Sequence, residues 1–442
     1  METKEETIYI LDTNVPLYDC NCLANFPNCR VIVPITVIEE LDTFKKEDGD
    51  RGFNARRFSE FIVKKRGVEL YNGGVEIGNN CFLSLHEEMN LHKELKGKLY
   101  WNSKNPDLRI LNIAFWVREK NPDARVVIKT KDYNFILRAG VVGIEAEDYD
   151  PEKLISDSSA LYKGYCRIPK LSRGILQKAN EGVAVGEIKP RIEHLFENQY
   201  IISGQEEDDV LAFFSNGIIK RIKEQTVFGI SPLNIWQSAA LHALFREDVT
   251  IVTLTGKAGT GKTLLALAAS LEQSNIFSEI ILARPLVPLS DKDRVGFLPG
   301  NLTTKINPYM QPLFDNLAAI EDINQKDKNR TAIIKELKNK KRLTIEALDH
   351  IRGRTLVKKY VIVDEAQNLT PKEVKAVITR AGEGTKVILT GDIEQVDHLY
   401  LNSETNGLTH LIEKFKGQSL FAHINLEKGE RSPTAELAAR LL

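Results

Sequence analysis

The segment that most constrains this chain lies between residues 250 and 269. An apolar, β-branched run, Thr250–Leu254, leads into Gly256-Lys257-Ala258-Gly259-Thr260-Gly261-Lys262-Thr263, and the apolar run Leu264–Ala269 follows at helical spacing. Strand, glycine-rich loop and helix thus stand in the order that G-x-x-x-x-G-K-[ST] requires. The glycines let the backbone curl, so that successive N–H groups and the helix N-terminus meet phosphate oxygens. Lys262 is placed to neutralise the β- and γ-phosphates of ATP, and the Thr263 hydroxyl to hold Mg²⁺.

A phosphate-bound metal needs a second, acidic site. Tyr360-Val-Ile-Val-Asp364-Glu365 supplies one at the end of an apolar strand. Asp364 is expected to bind Mg²⁺ through water, and Glu365 to polarise the attacking water. Alone, two acids after a strand read as a solvated loop; the P-loop upstream changes that reading. From about Val227 to Leu442 the chain resembles the PhoH-like ATPases, relatives of superfamily 1 helicase motors. The resemblance rests on Asn234-Ile-Trp-Gln237, the P-loop, Ala283-Arg-Pro285, Val295-Gly-Phe-Leu-Pro-Gly300, Ile351-Arg-Gly-Arg354, Asp364-Glu-Ala-Gln-Asn368, Lys386-Val-Ile-Leu-Thr-Gly-Asp392-Ile-Glu-Gln395 and Gly429-Glu-Arg-Ser432. It implies a RecA-like core in which Gln237 reads the adenine edge. Gln395 would sense the γ-phosphate, because an amide both donates and accepts hydrogen bonds. Arg431 is the leading arginine finger, in cis or from a neighbouring subunit, with Arg284 and Arg380 as competitors.

Upstream, four acids stand out by position: Asp12 after the apolar run Thr7–Leu11, Glu40 in the helical pattern Thr36–Phe44, Asp107 at the start of a second helical pattern, and Asp132 after the strand-like Val126–Thr130. In a parallel sheet, strand C-termini and nearby helix starts converge on one edge. Four carboxylates there would repel unless a divalent metal sat among them. Taken singly, each is a cap or a solvated residue, and Asp107 suits a helix N-terminus. Glu39, beside Glu40, leaves the helical position open by one. Leu11-Asp-Thr-Asn-Val15, Pro34-Ile-Thr-Val-Ile-Glu-Glu-Leu-Asp42, Pro106-Asp-Leu-Arg-Ile-Leu111 and Thr130-Lys-Asp-Tyr-Asn134 together resemble the PIN-domain ribonucleases. Within that family pattern Glu40, before Leu41, is the better match. The resemblance implies Mg²⁺- or Mn²⁺-dependent hydrolysis of an RNA phosphodiester, with Thr13 and Asn14 orienting Asp12 or contacting phosphate.

Alternating strand and helix patterns predict two α/β domains: a PIN-like domain with a parallel sheet at 1–147 and a RecA-like P-loop domain at 227–442. Between them, 148–226 breaks into short segments such as Val183–Val185 and Tyr200–Ile202, read as a small β-rich connector. Charge adds little, since 60 basic residues against 61 acidic ones leave a net charge of -1, so any nucleic acid must meet a local patch. Lys326–Arg342, Lys220–Lys223 and the aromatic stretch Gly296–Asn316, with Phe297, Tyr309, Met310 and Phe314 near Arg294 and Lys305, are the candidates. Solvated helix faces and core packing are the plainer alternatives. Five cysteines, Cys20, Cys22, Cys29, Cys81 and Cys166, are an odd number without zinc spacing and read as reduced thiols. A polar start and the lack of any apolar run of about 18 residues give no signal peptide or membrane span, hence an expected cytosolic location without membrane partners.

The expectation is an ATP-dependent RNA helicase or translocase coupled to a metal-dependent ribonuclease, acting on single-stranded or structured RNA. The alternatives are a nucleotide-dependent RNA-binding remodeller whose PIN fold does not cleave, and a small-molecule P-loop kinase. The Gly391-Asp392 and Gln395 block, and the lack of an evident lid sequence, argue against the kinase. A lone RecA-like core needs a neighbour, so a homo-oligomer is expected, a hexamer by resemblance.

Overall fold

The structure is a computed structural model that describes residues 6–47, 50–65, 68–71, 73–87, 89–96, 104–150, 155, 158–168, 179–184, 195–204, 210–286, 302–351, 353–398 and 401–429. By compactness the chain divides into two units, Met1–Pro151 and Glu152–Leu442.

The first unit is built on six strands: β1 (Thr7–Leu11), β2 (Cys29–Pro34), β3 (Val75–Gly78), β4 (Cys81–His86), β5 (Arg125–Thr130) and β6 (Glu145–Asp148). Their order is β3-β4-β2-β1-β5-β6, parallel except for the β3–β4 hairpin. Ile8, Ile10 and Leu11 of β1 are fully buried, as expected of a central strand covered on both faces. Helices α1 (Asn14–Tyr18), α2 (Ile35–Phe44), α3 (Asp50–Lys64), α4 (Pro106–Lys120) and α5 (Tyr133–Val142) connect and cover it. Leu11 lies opposite Lys129 in the β1–β5 register, so the two strands run out together and deliver Asp12 and Asp132 to one edge. At α4 the capping side chain is Asn105, which accepts from the Leu108 N–H, with Pro106 in the first turn. Asp107 therefore does not cap its helix.

In the second unit the predicted connector is a five-stranded sheet: β7 (Tyr165–Ile168), β8 (Val183–Ala184), β9 (Tyr200–Ser203), β10 (Val210–Ser215) and β11 (Ile218–Arg221), ordered β7-β9-β10-β11-β8. Asn216 and Gly217, at φ 52 and 77, make the two-residue turn between β10 and β11. One face closes over Ala179, Val183, Ile201, Ala212 and Ile219. Tyr200, Ile202 and Leu211 instead enter the core of the adjoining P-loop fold. Asn198 Nδ2 donates to the Ser419 and Phe421 carbonyls at 2.8 and 2.9 Å, and the Asn425 N–H donates to the Lys163 carbonyl at 3.1 Å.

The P-loop fold has a wholly parallel six-stranded sheet: β12 (Ile251–Gly256), β13 (Glu279–Arg284), β14 (Leu343–Ala347), β15 (Lys359–Val363), β16 (Lys386–Gly391) and β17 (Phe421–Leu426), ordered β14-β13-β15-β16-β12-β17. The P-loop strand β12 is thus flanked by β16 and β17, and β15 lies beyond β16. Among the described residues no helix is long and apolar enough to cross a membrane. The aromatic stretch expected to meet nucleic acid falls partly outside the described residues, Arg294 and Phe297 included. Within the helix Leu302–Ile323, Met310 is core at 2 % exposure and Tyr309 packs on that core, which corrects the expectation for those two; Phe314 remains exposed. In the basic stretch 326–342, Lys338 and Lys340 are paired with Glu321 and Glu336.

Candidate functional site

At the first unit's sheet edge Asp12 is 2 % exposed and held by three donors. The Thr130 hydroxyl donates to Oδ2 at 2.6 Å, Asn14 Nδ2 to the same oxygen at 3.2 Å, and the Thr13 N–H to Oδ1 at 2.7 Å. The Thr13 hydroxyl donates to Glu40 Oε2 at 2.6 Å, tying α2 to the end of β1. Glu39 points elsewhere and pairs with Arg109, which resolves the register in favour of Glu40. Asp132 caps α5 by accepting from the Asn134 N–H at 2.8 Å.

Burial pushes the Asp12 carboxyl up to about 6, against the Thr130 hydrogen bond and with the help of the Asp107 charge. Burial also raises Glu40, opposed by the Thr13 hydroxyl and reinforced by Asp107. Asp107 is raised by burial; Arg138 opposes this and Asp132 adds to it. Asp107 is therefore the acid whose charge reaches both Asp12 and Glu40. A donor set of hard carboxylate oxygens fits Mg²⁺ or Mn²⁺. Among the described residues, however, no three His, Cys, Asp or Glu side chains already converge as a metal cage. Arg138 stands there instead, with Nη2 2.8 Å from Asp107 and 3.8 Å from Asp132.

In the second unit the P-loop joins β12 to the helix Lys262–Glu272, with Gly256, Gly259 and Gly261 at φ 143, 81 and 90. Left-handed and extended-mirror backbone of this kind is cheap only for glycine. Lys262 Nζ donates to the Gly256 and Lys257 carbonyls at 2.6 and 3.0 Å. The Thr263 and Thr390 hydroxyls both donate to Asp364 Oδ1, at 2.7 and 2.6 Å. That fixes the carboxylate at the mouth of the loop, where the set fits a phosphate-bound divalent cation. Gln237 is nearly buried; its Nε2 donates to the Thr260 carbonyl at 3.2 Å and its Oε1 accepts from the Leu233 N–H at 2.8 Å.

Glu365 adopts φ 55 and ψ 39, a conformation that costs a non-glycine residue and is kept only where surrounding contacts enforce it. Arg284 Nη2 reaches Glu365 Oε1 at 3.2 Å and Gln367 Nε2 reaches Oε2 at 2.5 Å. Gln367 Nε2 also donates to the Gln395 carbonyl at 2.9 Å, and its Oε1 accepts from the Asp392 N–H at 3.2 Å. A Cβ on Gly391 would lie 2.4 Å from Gln367 Oε1, so this position must be glycine for the amide to seat. A cavity of about 340 Å³ opens beside Gly256 and Lys257, walled by Asp392, Glu394, Asn425 and, from the β-module side, Lys163.

The structure brings together Gln237, the P-loop from Gly256 through Thr263, and Asp364, and links Glu365 to the segment carrying Gln395. Arg431 and the Val295–Gly300 block lie outside the described residues. Arg284 is bound to Glu365, and Arg380 is exposed at the end of the helix Pro371–Ile378. Sequence reasoning missed Gln367, Thr390, Thr130 and Arg138. Gln367, Thr390 and Thr130 lay inside the motifs that carry the resemblances, and their polarity near the acids was the available signal.

Comparison with known proteins agrees with both halves. Residues 9–150 match the family model described as PIN domain and residues 229–440 the one described as PhoH-like protein. The chain is 37% identical to Protein PhoH2 of Bacillus subtilis over 98% of its own length and 99% of that protein. It is 30% identical to Protein PhoH2 of Mycolicibacterium smegmatis, covering 98% and 96% respectively. A PhoH-like protein of Synechocystis matches at 42% over 36% of this chain and 46% of that one.

Proposed function

This chain belongs to the PhoH2 family, a PIN domain joined to a PhoH-like P-loop NTPase, and we propose that it is an ATP-driven RNA helicase or translocase that delivers strands to a metal-dependent ribonuclease site. The observation that carries the reading is the continuous polar chain from Glu365 through Gln367 to Asp392 and Gln395. A group transfer to a small acceptor has no use for such a link. A motor needs it, because loss of the γ-phosphate must be felt away from the P-loop.

Bound ATP and Mg²⁺ supply the phosphoanhydride and the neutralising charge. The backbone of Gly256, Lys257, Ala258, Gly259, Thr260 and Gly261 cradles the phosphates, Lys262 leaves its carbonyl partners to meet them, and Thr263 and Asp364 hold the metal. Glu365 takes the proton of the attacking water, Gln395 senses the γ-phosphate, Gln237 reads the adenine edge, and Arg431 completes the site from a neighbour in a homo-oligomer, a hexamer. At the other site Asp12, Glu40, Asp107 and Asp132 would hold Mg²⁺ or Mn²⁺, and the ion would supply the charge that activates water and neutralises the RNA phosphate. Glu365→Gln is expected to lower ATP turnover by on the order of 10²- to 10³-fold while ATP affinity stays within a few-fold, as for loss of a positioned base. Single-turnover hydrolysis and equilibrium nucleotide binding read the two separately.

The overall test is purified protein with ATP and Mg²⁺ on labelled RNAs with and without duplex. Strand separation and fragments, both requiring ATP on the duplex, are expected; intact RNA beside a live ATPase would sink the coupled reading. Arg138 among the acids favours one rival, an RNA remodeller whose PIN fold grips without cutting. Unchanged RNA decay in Asp12→Asn with intact folding selects that rival.

A further inference from the structure

We propose that Arg138 is a built-in counter-ion that competes with the divalent metal for Asp107 and Asp132, and that metal entry releases its guanidinium to take an RNA phosphate. The inference rests on the metal-dependent nuclease reading and deepens it.

Asp132 spends Oδ1 on capping α5, through the Asn134 N–H, and presents Oδ2 to Arg138. Asp107 is freed of capping by Asn105 and presents Oδ2 to the same Nη2 at 2.8 Å. The two oxygens that a cation would need on the solvent side of the cluster are therefore those the guanidinium holds. Among the described residues, the hydrogen bonds to Asp12 and Glu40, on the inner side, come from neutral donors, the Thr130 and Thr13 hydroxyls, Asn14 and a backbone N–H, while the Arg109 charge acts on Glu40 from further off.

A guanidinium keeps its proton at any pH the protein survives, so it cannot yield by deprotonation. It and a divalent ion are like charges drawn to the same two carboxylates, so metal entry repels the guanidinium and favours a displaced Arg138. Movement is open to it: the side chain is 37% exposed and, among the described residues, otherwise anchored only through Nε to the Asn134 carbonyl, one turn back on its own helix. Once displaced, the planar fork stays at the rim of the acid cluster. Its charge and geometry there suit two phosphate oxygens, and the acids it has left are neutralised by the metal.

Titration of Mn²⁺ alone into the full chain without nucleotide, by calorimetry, tests the competition. Asp12→Asn identifies the heat that belongs to this site. Arg138→Gln is expected to bind Mn²⁺ about five- to ten-fold more tightly than the parent, because a half-exposed pair is lost. Arg138→Lys, which keeps the charge, should stay within about two-fold of the parent, and thermal melts confirm that both fold. At saturating Mn²⁺, Arg138→Gln should raise KM for RNA cleavage about ten-fold with kcat little changed, the pattern of a lost charge-assisted contact to phosphate. Unchanged or weaker Mn²⁺ affinity in Arg138→Gln, with the Asp12-dependent heat still present, overturns the counter-ion while leaving the nuclease reading intact. An unchanged KM overturns the phosphate role. No Asp12-dependent heat in any variant overturns both the inference and the reading beneath it.

Discussion

Lys262→Ala is expected to reduce ATP turnover by on the order of 10³-fold or more, as when a preorganised charge facing the transition state is removed. Lys262 is half-buried, and its ammonium lies along the inside of the loop on the Gly256 and Lys257 carbonyls. Lys257, by contrast, is exposed. The substitution leaves the first unit's carboxylates untouched. Cleavage of unstructured RNA should therefore continue in Lys262→Ala, while cleavage of duplex RNA in the presence of ATP is lost. Turnover measured by phosphate release, beside fragment analysis on both RNAs, checks this. Duplex cleavage at the parent's rate would separate the two activities and end the coupled reading.

Asp12→Asn should abolish RNA cleavage, again by on the order of 10³-fold or more for a lost metal ligand, with ATP turnover retained. Its pH behaviour follows from the burial of the carboxyl. With Asp12 pushed up to about 6 in the folded chain from an ordinary 3.8, the folded state holds a proton between those values that the unfolded state has released. Stability of the metal-free protein accordingly falls as pH rises through that window, by the sign of the linkage relation. The neutral asparagine avoids that loss. Its first unit should melt higher than the parent's at pH 7.5 by about 1–3 kcal/mol, one pK unit being worth about 1.4 kcal/mol. The difference should vanish towards pH 4. Metal binding to the parent has the opposite trend, because the ligand must be ionised, and parent cleavage should fall as pH drops below about 6. Thermal melts and initial cleavage rates across pH 4.5–8 read both trends, and a stability gain that grows on acidification would refute the assignment of the raised carboxyl to Asp12.

The strands and helices that hold the two sites were readable wherever a segment carried its own period. Thr7–Leu11, Val126–Thr130 and Tyr360–Val363 are runs of β-branched or apolar residues, and they appear in β1, β5 and β15. The Lys262–Glu272 helix needed only its apolar spacing after the loop. The β module was readable as strands but not as a docked element. Tyr200 and Ile202 look like any short strand's apolar residues, and nothing local says that they enter another fold's core. Met310 shows the same limit, since a helix face that carries Tyr309, Met310 and Phe314 serves a core or a ligand equally well.

What the sequence determined by itself is chemistry whose parts are neighbours along the chain: the phosphate loop from Gly256 to Thr263, the Asp364–Glu365 pair, and Asp12 with Thr13 and Asn14 beside it. Short spacing fixes those groups relative to one another once a strand or turn forms. The tertiary structure decided everything that depends on which distant segments meet. It chose Glu40 over Glu39 through the Thr13 hydroxyl, joined Glu365 to Asp392 and the Gln395 carbonyl through Gln367, and set Arg138 between Asp107 and Asp132. Contacts of that kind are set by strand order and helix rotation, which arise from burying whole faces at once and leave no signature at any single position.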